Sequence, residues 1–308
     1  MKTVAGFLRS PKWPRQERWR GAVWRAMGRT GLTGLHLLPM HPSWVELSAC
    51  PMPLRHLDPL LSGMKIVQIS DLHYSPFVWR SYLQQHIERI NELSPGVVTV
   101  TGDLFMGGYR YADRVAELLG RIKAKWGVVC IMGNHDYGLS GADQSARGVR
   151  RAAHLEERLE SHGLVVLRNE IWTLRPPGAV RPLHFVGLDD DFSGRMDAEV
   201  AFEGMAADQA TICLLHNPAH VMEMMDYPWQ WMLSGHTHGR QLGSGRVGRT
   251  LFASKYRHYT HGLYTVNGRH LYVNRGLSYG QRAREWCRPE ITVFETKALG
   301  GAKAAKSG

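Results

Sequence analysis

Three runs of apolar, β-branched-rich sequence each break into a short cluster of Asp, His and Asn: KIVQISDLH, VVTVTGDL and GVVCIMGNHD. The clusters carry Asp71, His73, Asp103, Asn134, His135 and Asp136, residue types that are costly to bury unless paired or bound to metal. Two later apolar runs end in the same way, LLHNP with His216 and WMLSGHTHG with His236 and His238. Carboxylates, imidazoles and a carboxamide form a donor set for divalent cations. A site for two cations needs one carboxylate able to bridge them, with open positions for water and a phosphate oxygen. Asp-x-His is common and Asp103 after Gly102 could serve a turn, so either alone is a weak signal, whereas GNHD and GHTH are stronger because clustered His and Asn at strand ends serve little purpose in packing. Five such clusters, in order and each at the end of an apolar run, are not explained by packing. They read as two halves of one binuclear metal site.

For the clusters to meet, their strands must lie side by side. Apolar stripes at helical spacing separate the first three runs: Leu83, Ile87, Ile90 and Leu93, then Val115, Leu118, Leu119 and Ile122. This alternation predicts parallel strands with their carboxyl ends on one edge, where open α/β sheets bind ligands. A helix is expected over residues 148–162, with Ala152, Leu155 and Leu159 inward and a stop at Gly163. LVVL, EIWTL and PLHFVGL then read as successive strands of a second sheet. TICLL and QWMLS resume the alternation around a short helix at HVMEMM. Two period-2 runs around Asn267-Gly268 predict a hairpin, and PEITVFET a last strand. SWVELSACPMPL resembles a strand able to join the sheet ahead of the first motif.

The expected fold class is α/β, a four-layer α/β/β/α sandwich. Its catalytic domain covers residues 63–296. A basic segment with a lead-in strand occupies residues 1–62, and a small, basic, disordered tail residues 297–308.

The chain has 308 residues, with 38 Lys and Arg against 27 Asp and Glu, so anionic partners are expected: phosphate substrates, nucleic acid or acidic lipid. The charge is concentrated. Lys2, Arg9, Lys12, Arg15, Arg18, Arg20, Arg25 and Arg29 face Glu17 alone in the first thirty residues, which supply +7 of the net +11. Residues 12–29 predict a basic amphipathic helix carrying Trp13, Trp19 and Trp24, with Gly21 and Gly28 weakening it. Such a helix suits an anionic membrane interface, its aromatic rings at the acyl boundary and its Arg side chains reaching headgroups. Docking on the catalytic domain is the simpler alternative.

Cys50, Cys130, Cys213 and Cys287 show neither CxxC spacing nor the density of a disulfide scaffold, which points to a reducing compartment. No run of 18 apolar residues exists, and TVAGFL is too short and too soon followed by charge to read as a signal peptide. The expected location is cytoplasmic, peripheral on the inner face of the membrane.

DLH, GD, GNHD, a lone strand-end His and GHTH stand here in the order found in calcineurin-like metallophosphoesterases, which the chain resembles over roughly residues 63–296. DLHYS, GHTHG and the CRPE before the last strand are most similar to a bacterial, membrane-associated phosphodiesterase branch, itself similar to enzymes that hydrolyse UDP-2,3-diacylglucosamine. The resemblance implies that Asp71, His73 and His238 bind one metal, that Asn134, His216 and His236 bind the other, and that Asp103 bridges them. It implies that His135 donates a proton or stabilises charge near the leaving group and that Asp136 orients it. Gly239, Arg240 and Gln241 after GHTH depart from the branch's usual second Gly, and Arg240 is a candidate contact for the substrate phosphate.

The expected activity is hydrolysis of a phosphodiester or pyrophosphate bond by a hydroxide bridging two divalent cations. Mn is named first, from its frequency in the family, with Fe or Zn possible for mixed N and O donors. A membrane-associated lipid such as UDP-2,3-diacylglucosamine is the expected substrate. A nuclease or nucleotide phosphodiesterase is the alternative, and a non-catalytic binding protein on the same fold is a remote one.

Overall fold

The computed structural model describes residues 45–138, 143–240, 258–278 and 288–299. The expected N-terminal helix over residues 12–29 lies outside the described residues, as do the last residues of the tail, 300–308.

The first motif-bearing runs form the middle of a six-stranded sheet. β2 (Lys65–Ile69), β3 (Val97–Thr101) and β4 (Gly127–Ile131) are parallel neighbours in that order, as their intervening helical stripes require. The stripes are α1 (Arg80–Glu92) and α2 (Tyr109–Leu119), which bury Leu83, Ile87 and Ile90, and Val115, Leu118 and Leu119. The four-residue α3 (Asn134–Tyr137) and the longer α4 (Ala146–Ser161) follow β4. α4 buries Ala152, Leu155 and Leu159, the face its apolar spacing predicts. The lead-in run forms β1 (Glu46–Arg55), which joins this sheet by pairing in parallel with β12 (Glu290–Leu299). β12 in turn pairs antiparallel to β2, giving with β5 (Val165–Val166) the order β1-β12-β2-β3-β4-β5. β12 continues through Leu299, three residues into the stretch expected as tail.

LVVL corrects one expectation. Its Val165–Val166 forms β5 and pairs with Val129 and Cys130 of β4, so it closes the first sheet rather than opening the second. The chain passes from β4 through α4 to a parallel neighbour, so this crossover returns it to the same sheet. The second sheet holds β6 (Glu170–Leu174), β7 (Leu183–Gly187), β8 (Ala210–Leu214), β9 (Trp231–Ser234), β10 (Gly262–Val266) and β11 (Arg269–Val273), in the order β10-β11-β9-β8-β7-β6. β7, β8, β9 and β11 are parallel, and β6 and β10 are antiparallel edges. β10 and β11 are the hairpin expected around Asn267-Gly268, with both turn residues at positive φ (47° and 79°), as a type I′ turn needs.

Apolar side chains make three cores, which define four layers. One lies between the helices and the first sheet, one between the two sheets, and one on the outer face of the second sheet. Leu54, Ile66 and Phe294 of one sheet meet Phe185, Leu214 and Trp231 of the other. Trp231 also ties the sheets by donating its indole N–H to Pro53 O at 2.9 Å. Each fully buried aliphatic or aromatic side chain contributes about 1.5–3 kcal/mol, so this inter-sheet layer fixes the spacing of the strand ends above it. The fourth layer is thinner than the first. Among the described residues it consists of α5 (Ala198–Ala201) and the 3₁₀ turns Pro218–His220 and Glu223–Asp226, because the βα connections there are short. The expected helix at HVMEMM is these two turns.

Candidate metal centre

All seven expected donors arrive at one edge, the carboxyl ends of β2, β3, β4, β8 and β9. Asp71, His73, Asp103 and His238 form one group and Asp103, His216 and His236 a second, each with donor atoms within 4.8 Å of one another. Asp103 belongs to both. Its Oδ2 lies 3.5 Å from His73 Nε2 and 3.3 Å from His216 Nε2. In the first group His238 Nε2 stands 3.2 Å from Asp71 Oδ1 and 2.9 Å from His73 Nε2. In the second, Asn134 Oδ1 lies 3.0 Å from His236 Nδ1.

Backbone conformation aims these side chains. Asp71, His73, Asp103, His236 and His238 all have positive φ, between 44° and 69°. For L-residues this region costs on the order of 1–2 kcal/mol each, and surrounding hydrogen bonds hold it. Asp71 N donates to Gly102 O, His73 N to Asp103 O, and His236 N to both carboxylate oxygens of Asp71 at 3.1 Å. The glycines of the motifs let the donors approach. A Cβ at Gly133 would stand 2.4 Å from Asp103 Oδ1, and one at Gly235 would stand 1.9 Å from Ser70 Oγ and 2.3 Å from Asp71 Oδ2.

The donor set fits a pair of divalent cations. Donors about 2.1 Å from a common ion lie about 3.0–3.4 Å apart, close to the spacings within each group. His216 donates Nδ1–H to Thr101 O at 2.7 Å, which leaves Nε2, 3.3 Å from Asp103 Oδ2, as the ring atom able to take a cation in place of a proton. That Nε2, His73 Nδ1 and His135 Nδ1 are buried without a hydrogen bond. Burial lowers His73 to about 3 and His236 to about 4, so both are neutral, as ligands must be. Burial also pushes Asp71 up to about 7, against the pull of His216. At His216 burial is overridden by the Asp103 carboxylate, which raises it well above its ordinary value; burial of Asp103 is likewise outweighed by His216, leaving it well below. The pocket thus demands positive charge beside Asp103 Oδ2.

His135 sits edge-on to the His73 ring, centroids 5.0 Å apart, at the border of the donor groups. Its backbone N–H donates to Asp103 Oδ1 at 2.8 Å. Asp136 uses its carboxylate on the backbone instead, accepting from Gly133 N at 2.9 Å, Leu104 N at 2.8 Å and Phe105 N at 3.3 Å. Whatever orientation Asp136 gives His135 therefore acts through these loops and not on the imidazole. Burial raises Asp136 to about 7, with Asp103 adding to the effect. The side chain of Arg240 lies outside the described residues.

Three supports were not visible from the motifs. Arg151, nearly buried on α4, lies over the Phe105 ring and donates to Gly107 O and His135 O, which joins the loops after β3 and β4. At the end of β7, Asp191 Oδ2 accepts from Asn217 Nδ2 at 2.9 Å and His220 Nε2 at 2.7 Å, bracing the loop that carries His216. The following Phe192 packs 5.2 Å from the His236 ring. After β11, Leu277 N donates to Ser70 O and Ser278 N to Asp71 O. DDDF after β7 is itself a polar cluster ending an apolar run, the same signal as the five motifs.

This fold, with two donor groups sharing one aspartate at parallel strand ends, has the architecture of a binuclear metallohydrolase. The family model for calcineurin-like phosphoesterases matches residues 64–240, and the chain belongs to that family. It is 34% identical over 239 residues to the uncharacterized metallophosphoesterase YkuE of Bacillus subtilis, covering 77% of this chain and 80% of that one. It is 31% identical to the phosphodiesterase YaeI of Escherichia coli, over 82% of this chain and 89% of the relative. Similarity to the UDP-2,3-diacylglucosamine pyrophosphatase LpxG of Chlamydia muridarum is 27% identity, over 85% and 92%. The protein is a phosphoester hydrolase, and its family and donor set imply two divalent metal ions.

Proposed function

We propose that the protein hydrolyses a phosphodiester or pyrophosphate bond in a membrane-borne lipid, of the kind represented by UDP-2,3-diacylglucosamine. The observation that carries the hydrolytic part is Asp103 Oδ2 facing both His73 and His216. In this reading Asp71, His73 and His238 hold one cation, Asn134, His216 and His236 the other, and Asp103 both. When bound, the two cations supply Lewis acidity toward a phosphate oxygen and lower the pKa of water. Mn leads, with Fe or Zn also suited to the mixed N and O donors.

The chain's own residues then do the following. Thr101 O fixes the His216 tautomer, and the His135 backbone N–H turns Asp103 so that Oδ2 faces inward. The His135 imidazole, at the border of the donors, delivers a proton to the departing oxygen. Arg151 and Asp136 hold its loop in register with the loop after Asp103.

The lipid part is supported by the likeness to LpxG pyrophosphatases and by the +7 charge and three Trp in the first thirty residues. Among the described residues no helix is long and apolar enough to cross a membrane. On this reading the basic, Trp-bearing segment attaches peripherally, at the inner face, where anionic lipid attracts its charge. The test is one panel assayed with Mn: UDP-2,3-diacylglucosamine, a soluble bis-aryl phosphodiester and an oligonucleotide. Preference for the lipid supports the reading. Preference for the oligonucleotide would favour a nuclease, to which the basic balance of the chain also lends itself.

A further inference from the structure

The described chain starts on the edge that holds the donors. Val45 leads into β1, whose Glu46 pairs with Glu290, and β12 runs antiparallel to β2 with Thr292 opposite Gln68 near the end of that strand. Arg275 joins Glu46 at 3.1 Å to Glu290 at 2.9 Å, and two residues on Leu277 is bonded to Ser70, beside Asp71. Val45, to which the basic, Trp-bearing first 44 residues are joined in sequence, therefore stands at the edge that holds the candidate metal centre.

Exposed aromatic residues stand on the same edge. Phe77 (66% exposed) and Trp79 (45%) lie on the loop leaving His73, and Tyr109 (46%) begins α2 after the loop leaving Asp103. Between these loops is a groove of about 550 Å³ lined by Tyr74, Pro76, Trp79, Arg80, Tyr111 and Arg114. The rim is cationic: Glu117 is already shared by Arg80 at 2.6 Å and Arg121 at 2.7 Å, while Arg110 and Arg114 are exposed on α2. Large aromatic rings beside arginines match a bilayer interface, where ring bodies meet the acyl boundary and guanidinium groups meet anionic headgroups.

We infer that Phe77, Trp79 and Tyr109, with Arg110 and Arg114, form a surface that seats on anionic lipid and turns the metal centre toward the bilayer. The use of this surface rests on the lipid-borne substrate proposed above, but lipid binding itself is tested separately. Charge complementarity, and the joining of Val45 on this edge to a segment whose sequence carries +7 and three Trp in thirty residues, favour lipid over another occupant.

The experiment uses the full chain and vesicles of phosphatidylglycerol and phosphatidylcholine. Phe77→Ser/Trp79→Ser should partition at least tenfold more weakly than the unaltered protein, while Mn-dependent turnover of a soluble bis-aryl phosphodiester stays within twofold. Arg110→Glu/Arg114→Glu, confined to exposed helix positions, should show the same loss and guards against a folding defect in the first variant. Partitioning within twofold of the unaltered protein in both variants would overturn the inference. So would tighter binding to a single-stranded oligonucleotide than to vesicles, lost in the same variants, since aromatic and Arg side chains also stack on bases. Loss of vesicle binding in the variants, with no hydrolysis of lipid by the unaltered protein, would uphold the surface and reject the substrate.

Discussion

His135 holds Asp103 through its backbone: the amide N–H donates to Oδ1 at 2.8 Å, and the other oxygen, Oδ2, faces His73 Nε2 at 3.5 Å and His216 Nε2 at 3.3 Å. One peptide group therefore sets the rotation of the carboxylate that both donor groups share. The same residue presents its imidazole beside His73. In the proposed mechanism the proton donor and the brace for the shared carboxylate are one residue, which would couple the geometry of proton transfer to that of metal binding.

Replacing Asp103 by Ala removes the oxygen common to both groups. Purified Asp103→Ala should carry fewer than one metal ion per chain and show no measurable phosphodiester turnover. Elemental analysis beside the assay checks this.

His135→Ala keeps the backbone N–H to Asp103 and deletes only the imidazole. Metal content should match the unaltered protein, while kcat falls by about 10²–10⁴, the scale of a lost acid–base group. A substrate with a better leaving group should recover most of that loss. Loss of metal in this variant would show that the imidazole itself is a ligand.

Gly235→Ala should be as damaging as loss of a donor. Its Cβ would fall 1.9 Å from Ser70 Oγ and 2.3 Å from Asp71 Oδ2, between two buried strand ends that cannot separate. The expected result is loss of metal binding together with destabilisation on the scale of core overpacking, about 1–3 kcal/mol. Gly268→Ala, with open space around its Cβ in the hairpin turn, should cost stability through its positive φ but leave metal content unchanged.

Stability should fall in mildly alkaline solution through His220. Its hydrogen bond to Asp191 raises it to about 9, with Glu223 adding to the effect against burial. A folded value above the ordinary 6.5 means the stabilisation is fully present below that pH and is lost as pH rises through about 9. The group is partly exposed, so solvent screening reduces the effect to about 1 kcal/mol. Between pH 6 and 9.5 the unaltered protein should lose about 1–2 °C more in Tm than His220→Gln.

Much of this was legible in the sequence because function imposed it there. A strand that ends in Asp, His or Asn must expose those groups at a sheet edge, so SDLH, TGDL and GNHD placed their own strands side by side. The Asn267-Gly268 turn declared its hairpin for a similar local reason, since both residues accept positive φ. LVVL carried no such mark. An apolar run of that length fits the edge of either sheet, and the α4 crossover decided it. Arg151 was hidden because an Arg in a charged helix reads as solvated until its contact with Phe105 is seen. Asp191 differs, since DDDF ends an apolar run as the other motifs do; what the sequence does not show is the meeting of its carboxylate with Asn217 and His220, which makes it a brace and not a metal donor.

A pair of cations sharing Asp103, both required for turnover, is what the proposed chemistry needs. Titrating metal-free protein with Mn, while following bound Mn and hydrolysis of a soluble bis-aryl phosphodiester, tests it most directly. Two Mn should bind per chain, with turnover rising as the second is taken up and both lost in Asp103→Ala. Saturation at one Mn with full turnover, or turnover in the metal-free protein, would contradict it.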